Sequence, residues 1–155
     1  WLIGFSTNWQ ITLDFYADAD ELAALLQRPA DLVWAETPAN PTWEITDIAR
    51  AAELAHAAGA RLVVDSTVPT PVFTRPLALG ADVVMHSATK YLNGHSDMVG
   101  GALVTGDDAL AERIGFLQNA VGAITQRSNC SGERLPDQLS NNCTASTPAS
   151  IWPIR

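Results

Sequence analysis

From residue 11 to residue 121, runs rich in apolar and β-branched residues alternate with stretches whose apolar positions recur at helical spacing. That alternation predicts repeated strand-helix units around a largely parallel sheet, an α/β fold with flanking helices. Asp18 and Glu21 form an Asp-x-x-Glu capping pattern, and Leu22, Leu25 and Leu26 then mark one apolar face before Pro29. Residues 31–36 read as a strand. Thr46 is the expected cap of a second helix, in which Ile48, Ala51, Ala52 and Ala55 share a face, and Gly59 stands where a left-handed C-terminal turn belongs. Strands are expected at 61–65, at 81–86 with Asp82 at its mouth, and at 101–105. A further helix is expected over 107–120, running through Leu110, Ile114 and Leu117.

After Ile124 the order breaks. Residues 125–155 are rich in Ser, Asn, Thr and Pro, and they show neither period. The chain therefore divides into an α/β portion, 1–124, and an irregular tail, 125–155, expected to be disordered or a truncated or frame-shifted end. It begins at Trp1 rather than Met, and we expect a piece of a longer protein. Cys130 and Cys143 lie in the tail without CxxC spacing or a close His, so free thiols are expected rather than zinc ligands or a disulfide framework.

Charge narrows the partners. A formal net charge of −8 with a pI near 4.6 lacks the clustered Lys and Arg that phosphate backbones require, so nucleic acid is not an expected partner. No apolar run reaches the ~18 residues of a membrane-spanning helix, and no basic-then-apolar leader opens the chain. No membrane partner is expected, and the cytoplasm is the expected location.

Lys90 is the only lysine, against eight arginines. Arginine serves the surface roles of a cation but does not lose its proton, whereas an amine can do so and attack a carbonyl. Lys90 is thus either a Schiff-base residue or a chance survivor of an arginine-rich composition. Its neighbourhood favours the first. In a parallel sheet the C-terminal strand ends share one edge, where ligands bind. Three loops meet there: Glu36-Thr37-Pro38-Ala39-Asn40-Pro41, Asp65-Ser66-Thr67, and Ser87-Ala88-Thr89-Lys90. They bring an amide, a carboxylate, hydroxyls and an amine. Pyridoxal 5'-phosphate (PLP) would use each: the lysine for the imine, a carboxylate to keep the ring nitrogen protonated, and hydroxyls for phosphate oxygens. Asp65 read alone could also be a strand-end cap, and Asn40-Pro41 a turn.

These loops, together with the run from Asp82 to Asp97, closely resemble the trans-sulfuration family of PLP enzymes, the Cys/Met metabolism group. The resemblance covers residues 31–123. It implies that residues 1–124 are part of the large domain of a PLP transferase of the aspartate-aminotransferase-like type, fold type I. Lys90 would carry the Schiff base and then shuttle protons between substrate carbons. Asp65 would pair with the pyridinium nitrogen, and Ser87 and Thr89 would bind the cofactor phosphate. Thr67 would lie against the cofactor, and Asn40 would donate to the ring's phenolic oxygen. The implied substrate is a small amino acid of sulfur metabolism, in a homo-oligomeric parent that is a dimer-based tetramer.

The implied activity is elimination or replacement at the γ-carbon, as in cystathionine γ-synthase or an acyl-homoserine sulfhydrylase. A cystathionine lyase or a methionine γ-lyase is the alternative, because synthase and lyase share the three loops. A catalytically inert fragment without bound cofactor is a second alternative. A third is a metal-dependent hydrolase built on His86, His95 and Asp97; their spacing is not that of helical ligands, and no metal is expected.

Overall fold

The computed structural model describes residues 11–122, and the tail with both cysteines lies outside them. The first helix, α1 (Ala19–Leu25), begins where the capping pattern places it: the Asp18 carboxylate accepts from the N–H groups of Asp20 and Glu21. Glu21 reaches back one residue further than a standard capping box, accepting from Ala17 N at 2.9 Å. Leu22 is the side chain that α1 buries.

Strand β1 (Leu32–Glu36) alternates strictly, burying Val33 and Ala35 and exposing Leu32 and Trp34. Helix α2 (Ile48–Ala57) covers the buried face with Ile48, Ala51, Ala52 and Ala55. Three small alanines let the helix backbone approach the sheet closely. The cap differs from the expectation: Asp47, not Thr46, accepts from Arg50 N. The Thr46 backbone N–H donates to Thr37 Oγ1 at 3.0 Å. A carboxylate also suits the positive helix N-terminus better than a hydroxyl. Gly59 ends the helix at φ 77°.

Strand β2 (Arg61–Asp65) pairs parallel with β1, Glu36 lying opposite Asp65. Leu62 and Val64 are wholly buried under α2. A four-residue helix, α3 (Thr70–Phe73), and a 3₁₀ turn (Pro76–Leu79) carry the chain to β3 (Val83–Ser87), also parallel to β2. The pattern of apolar positions did not predict either short element. Strand β4 (Gly101–Thr105) then pairs antiparallel with β3, which makes the sheet mixed, in the order β1-β2-β3-β4.

Helix α4 (Asp108–Val121) is capped by Asp107 and closed by Gly122 at φ 73°. Its apolar positions are not buried; Leu117 is 45% exposed, and none of the helix's side chains is fully covered. The core instead lies between α1, α2 and one sheet face, from Leu22 through Ala55 to Val64.

Candidate functional site

Two parallel strand pairings bring the C-terminal ends of β1, β2 and β3 to one edge. The loop after β1 is pinned at both ends. Thr37 N donates to Asp65 O at 3.3 Å, its hydroxyl accepts from Thr46 N, and Ala39 N donates to Glu44 O at 2.9 Å. Asn40 sits at the tip of that turn, exposed and beside the edge.

After β2, Asp65 and Thr67 form a tight local pair. Asp65 Oδ1 accepts from Thr67 N at 3.0 Å and from Thr67 Oγ1 at 2.6 Å. The same Thr67 hydroxyl accepts from Ser87 N at 2.7 Å. One oxygen therefore links the carboxylate of the second loop to the backbone of the third. Thr67 Oγ1 spends its hydrogen on Asp65 and so orients that carboxylate.

After β3, residues Ala88–Leu92 make a single wide turn, in which Lys90 alone leaves helical dihedrals, at φ −93° and ψ −118°. Wide turns of this kind recur at functional sites. Thr89 anchors the turn to the start of β4: its Oγ1 donates to Gly100 O at 3.2 Å and accepts from Gly100 N at 3.0 Å. On the far side Gly94 N donates to Lys90 O at 2.8 Å. The lysine backbone is held fore and aft while the side chain stays exposed.

The three loops enclose an open cleft of about 550 Å³. Asn40, Asp65, Thr67, Ser87 and Lys90 line it; Thr89 does not, its hydroxyl being turned to Gly100. Glu36, Trp43, Val68, Tyr91, Gly94 and Ser96 also line it and were not assigned a site role from the sequence. Glu36 was legible in principle, since the strand-end argument that selects Asp65 applies equally to its register partner. Trp43 was not, because a left-handed φ of 63° at a tryptophan has no local signal.

His86, His95 and Asp97 do not converge. The His86 ring turns to Ser66 O, His95 Nδ1 faces Asn93 O at 2.8 Å, and Asp97 accepts from Asn93 Nδ2 at 2.7 Å. Among the described residues no three His, Cys, Asp or Glu side chains gather as a metal would need. Burial pushes the His86 imidazole below its ordinary range, against the opposing pull of the Ser66 carbonyl and the Asp65 charge.

The donor set fits PLP. A primary amine, a braced carboxylate, an amide and a hydroxyl share one cleft, whose volume lies within the ~300–1,000 Å³ usual for cofactor sites. No helix among the described residues is long and apolar enough to cross a membrane.

The chain matches the family model described as "Cys/Met metabolism PLP-dependent enzyme" over residues 3–131. It is 49% identical over 120 residues to a cystathionine gamma-synthase from Mycobacterium tuberculosis, covering 76% of this chain and 31% of that protein. A cystathionine gamma-lyase from Saccharomyces cerevisiae is 53% identical over 109 residues, covering 68% of this chain and 28% of the relative. The chain thus spans about a third of the length of the curated relatives it matches. Among solved structures, a methionine gamma lyase from Micromonospora echinospora superposes with a TM-score of 0.79 at 37% identity, over 83% of this chain and 36% of that one. The family model matches most of the chain, and the chain belongs to the Cys/Met metabolism family of PLP-dependent enzymes.

Proposed function

We propose that this chain supplies the cofactor-holding strand edge of a trans-sulfuration enzyme, one that eliminates or replaces a group at the γ-carbon of a small sulfur-metabolism amino acid. The observation that carries the reading is the meeting of Lys90, Asp65 and Asn40 in one cleft, with Thr67 bracing Asp65 against the backbone of the lysine loop. When bound, PLP would supply an electron sink for negative charge developing at the substrate α-carbon.

Every other part falls to the protein. The Lys90 amine would hold the cofactor covalently and, once displaced by substrate, take up and return protons at the α- and β-carbons. The Asp65 carboxylate would sit against the ring nitrogen and keep its proton in place, acting electrostatically rather than as a base. Asn40 would orient the ring through its phenolic oxygen, and Ser87 and Thr89 would meet the phosphate, with Thr89 first releasing Gly100. Thr67 fixes the direction of Asp65.

Similarity to a synthase and to lyases supports both outcomes, and the cleft would serve the steps they share. We favour the γ-synthase or sulfhydrylase side, in a homo-oligomeric parent located in the cytoplasm. The test is to mix the chain with PLP, reduce with borohydride, and map the adduct by peptide mass spectrometry. The expected result is a single adduct on Lys90 that disappears when the chain is unfolded. No adduct, or equal labelling of the unfolded chain, would refute the reading and leave an inert fragment.

A further inference from the structure

Beneath the cleft, on the opposite face of β3 from Ser87, lies His86, only 4% exposed. Its Nδ1 is 3.0 Å from the Ser66 carbonyl oxygen. A carbonyl oxygen only accepts, so Nδ1 carries the hydrogen and donates. Ser66 stands between Asp65 and Thr67, is wholly buried, and has no partner for its own hydroxyl. The loop at this point is therefore gripped by its backbone: Ser66 N donates to Met85 O at 2.9 Å, and Ser66 O accepts from both His86 and Thr70 N. Above it, Thr67 holds Asp65 and Ser87. The imidazole thus clamps the second loop to the third from below, while the Thr67 hydroxyl clamps them from above.

We propose that His86 is a positioning residue of this site: by holding the Ser66 carbonyl, it sets the direction in which Asp65 and Thr67 face the strand end that carries Ser87 and Lys90. A buried imidazole is a costly way to fill space that an apolar side chain would fill more cheaply, and the donor at Nδ1 is what it adds. This role bears on catalysis only through the reading of the cleft as a cofactor site.

Two amides separate the geometry from mere filling. Asparagine places its Nδ2 near the position of the imidazole Nδ1, whereas glutamine carries its amide one carbon further. The experiment compares His86→Asn, His86→Gln and His86→Leu by residue-resolved amide hydrogen exchange on the chain without PLP. Loss of one buried hydrogen bond is expected to speed exchange at Thr67, Thr70 and Ser87 about tenfold in the Gln and Leu variants, with Leu62 and Val64 unchanged. His86→Asn is expected to keep the native pattern. Uniform acceleration that includes Leu62 and Val64, or equal behaviour of Asn and Gln, would overturn the proposal, and the Asn–Gln comparison decides it even if the Leu variant does not fold. In parallel, the PLP concentration that half-saturates the Lys90 adduct is expected to rise in Gln and hold in Asn. Absence of any Lys90 adduct in the native chain would sink the cofactor reading alone, since exchange judges His86 independently.

Discussion

Thr67 Oγ1 donates to Asp65 Oδ1 at 2.6 Å and accepts from Ser87 N at 2.7 Å, so one hydroxyl sets the orientation of a carboxylate and closes the gap between two loops. Thr67→Val keeps the shape and removes both bonds, stranding the Ser87 N–H. The expected cost is about 1–3 kcal/mol in urea unfolding. Thr67→Ser retains the oxygen and is expected to recover most of it; a valine variant as stable as the parent would show that the bridge contributes nothing.

Lys90 and Asp65 are expected to separate capture from chemistry. Lys90→Ala should abolish the borohydride-fixed adduct altogether. Asp65→Asn keeps an acceptor for Thr67 but loses the charge, so the adduct at Lys90 should persist. In a full-length parent, exchange of the substrate α-proton in deuterium oxide should then fall about a hundredfold, the scale of a lost preorganised electrostatic contact. Unchanged α-proton exchange would remove Asp65 from the proposed role.

Two left-handed glycines make a paired stability test. Gly80 has φ 98°, and a Cβ there would come within 2.9 Å of Ala52 Cβ on α2. Gly59 has φ 77° with nothing within 4 Å of the added atom. Gly59→Ala should cost about 1 kcal/mol from backbone strain alone, and Gly80→Ala about 2 kcal/mol or more because overpacking is added. Equal urea midpoints for the two variants would contradict the close approach of α2 to the Pro76–Leu79 turn.

His86 predicts a pH dependence with a definite sign. Burial holds its folded-state pKa below the ordinary histidine value, so the folded chain binds that proton less readily than the unfolded chain. The resulting stability is complete above about pH 6.5 and is lost as the pH falls from there through the folded value, because the unfolded state takes up a proton that the folded state resists. The neighbouring Asp65 charge moderates the effect. Between about pH 7 and about pH 5 the urea midpoint should fall further for the native chain than for His86→Asn. Parallel profiles would exclude His86 as the source.

Much of the fold was legible because its signals are local. Asp18 and Glu21 mark a helix start, and the spacing of Ile48, Ala51, Ala52 and Ala55 marks a buried helix face. The run at 61–65 marks a buried strand, and both the structure and the register agree with it. The cap of α2 was misread because Thr46 and Asp47 are adjacent and both good caps, and residue type does not say which of the two stands just before the first helical residue, Ile48. The apolar stripe of α4 was legible as a helix but not as only partly covered, since a stripe shows what a helix can bury and not whether a partner covers it.

The same division runs through the site. Sequence alone determined the chemical inventory at the strand ends, a single lysine among arginines, an acid, an amide and hydroxyls, because residue type and strand-end position are both written locally. Only the tertiary structure decided how the hydroxyls are spent: Thr67 on Asp65 and Ser87, Thr89 on Gly100, and the His86 donor on the Ser66 carbonyl. The distant partners lie up to twenty residues away along the chain: Thr67 meets Ser87 and His86 meets Ser66 through the pairing of β2 with β3, and Thr89 meets Gly100 through the pairing of β3 with β4. A hydrogen bond acts over about 3 Å of space whatever the sequence separation, so its direction follows from how the strands pack rather than from what the residues are.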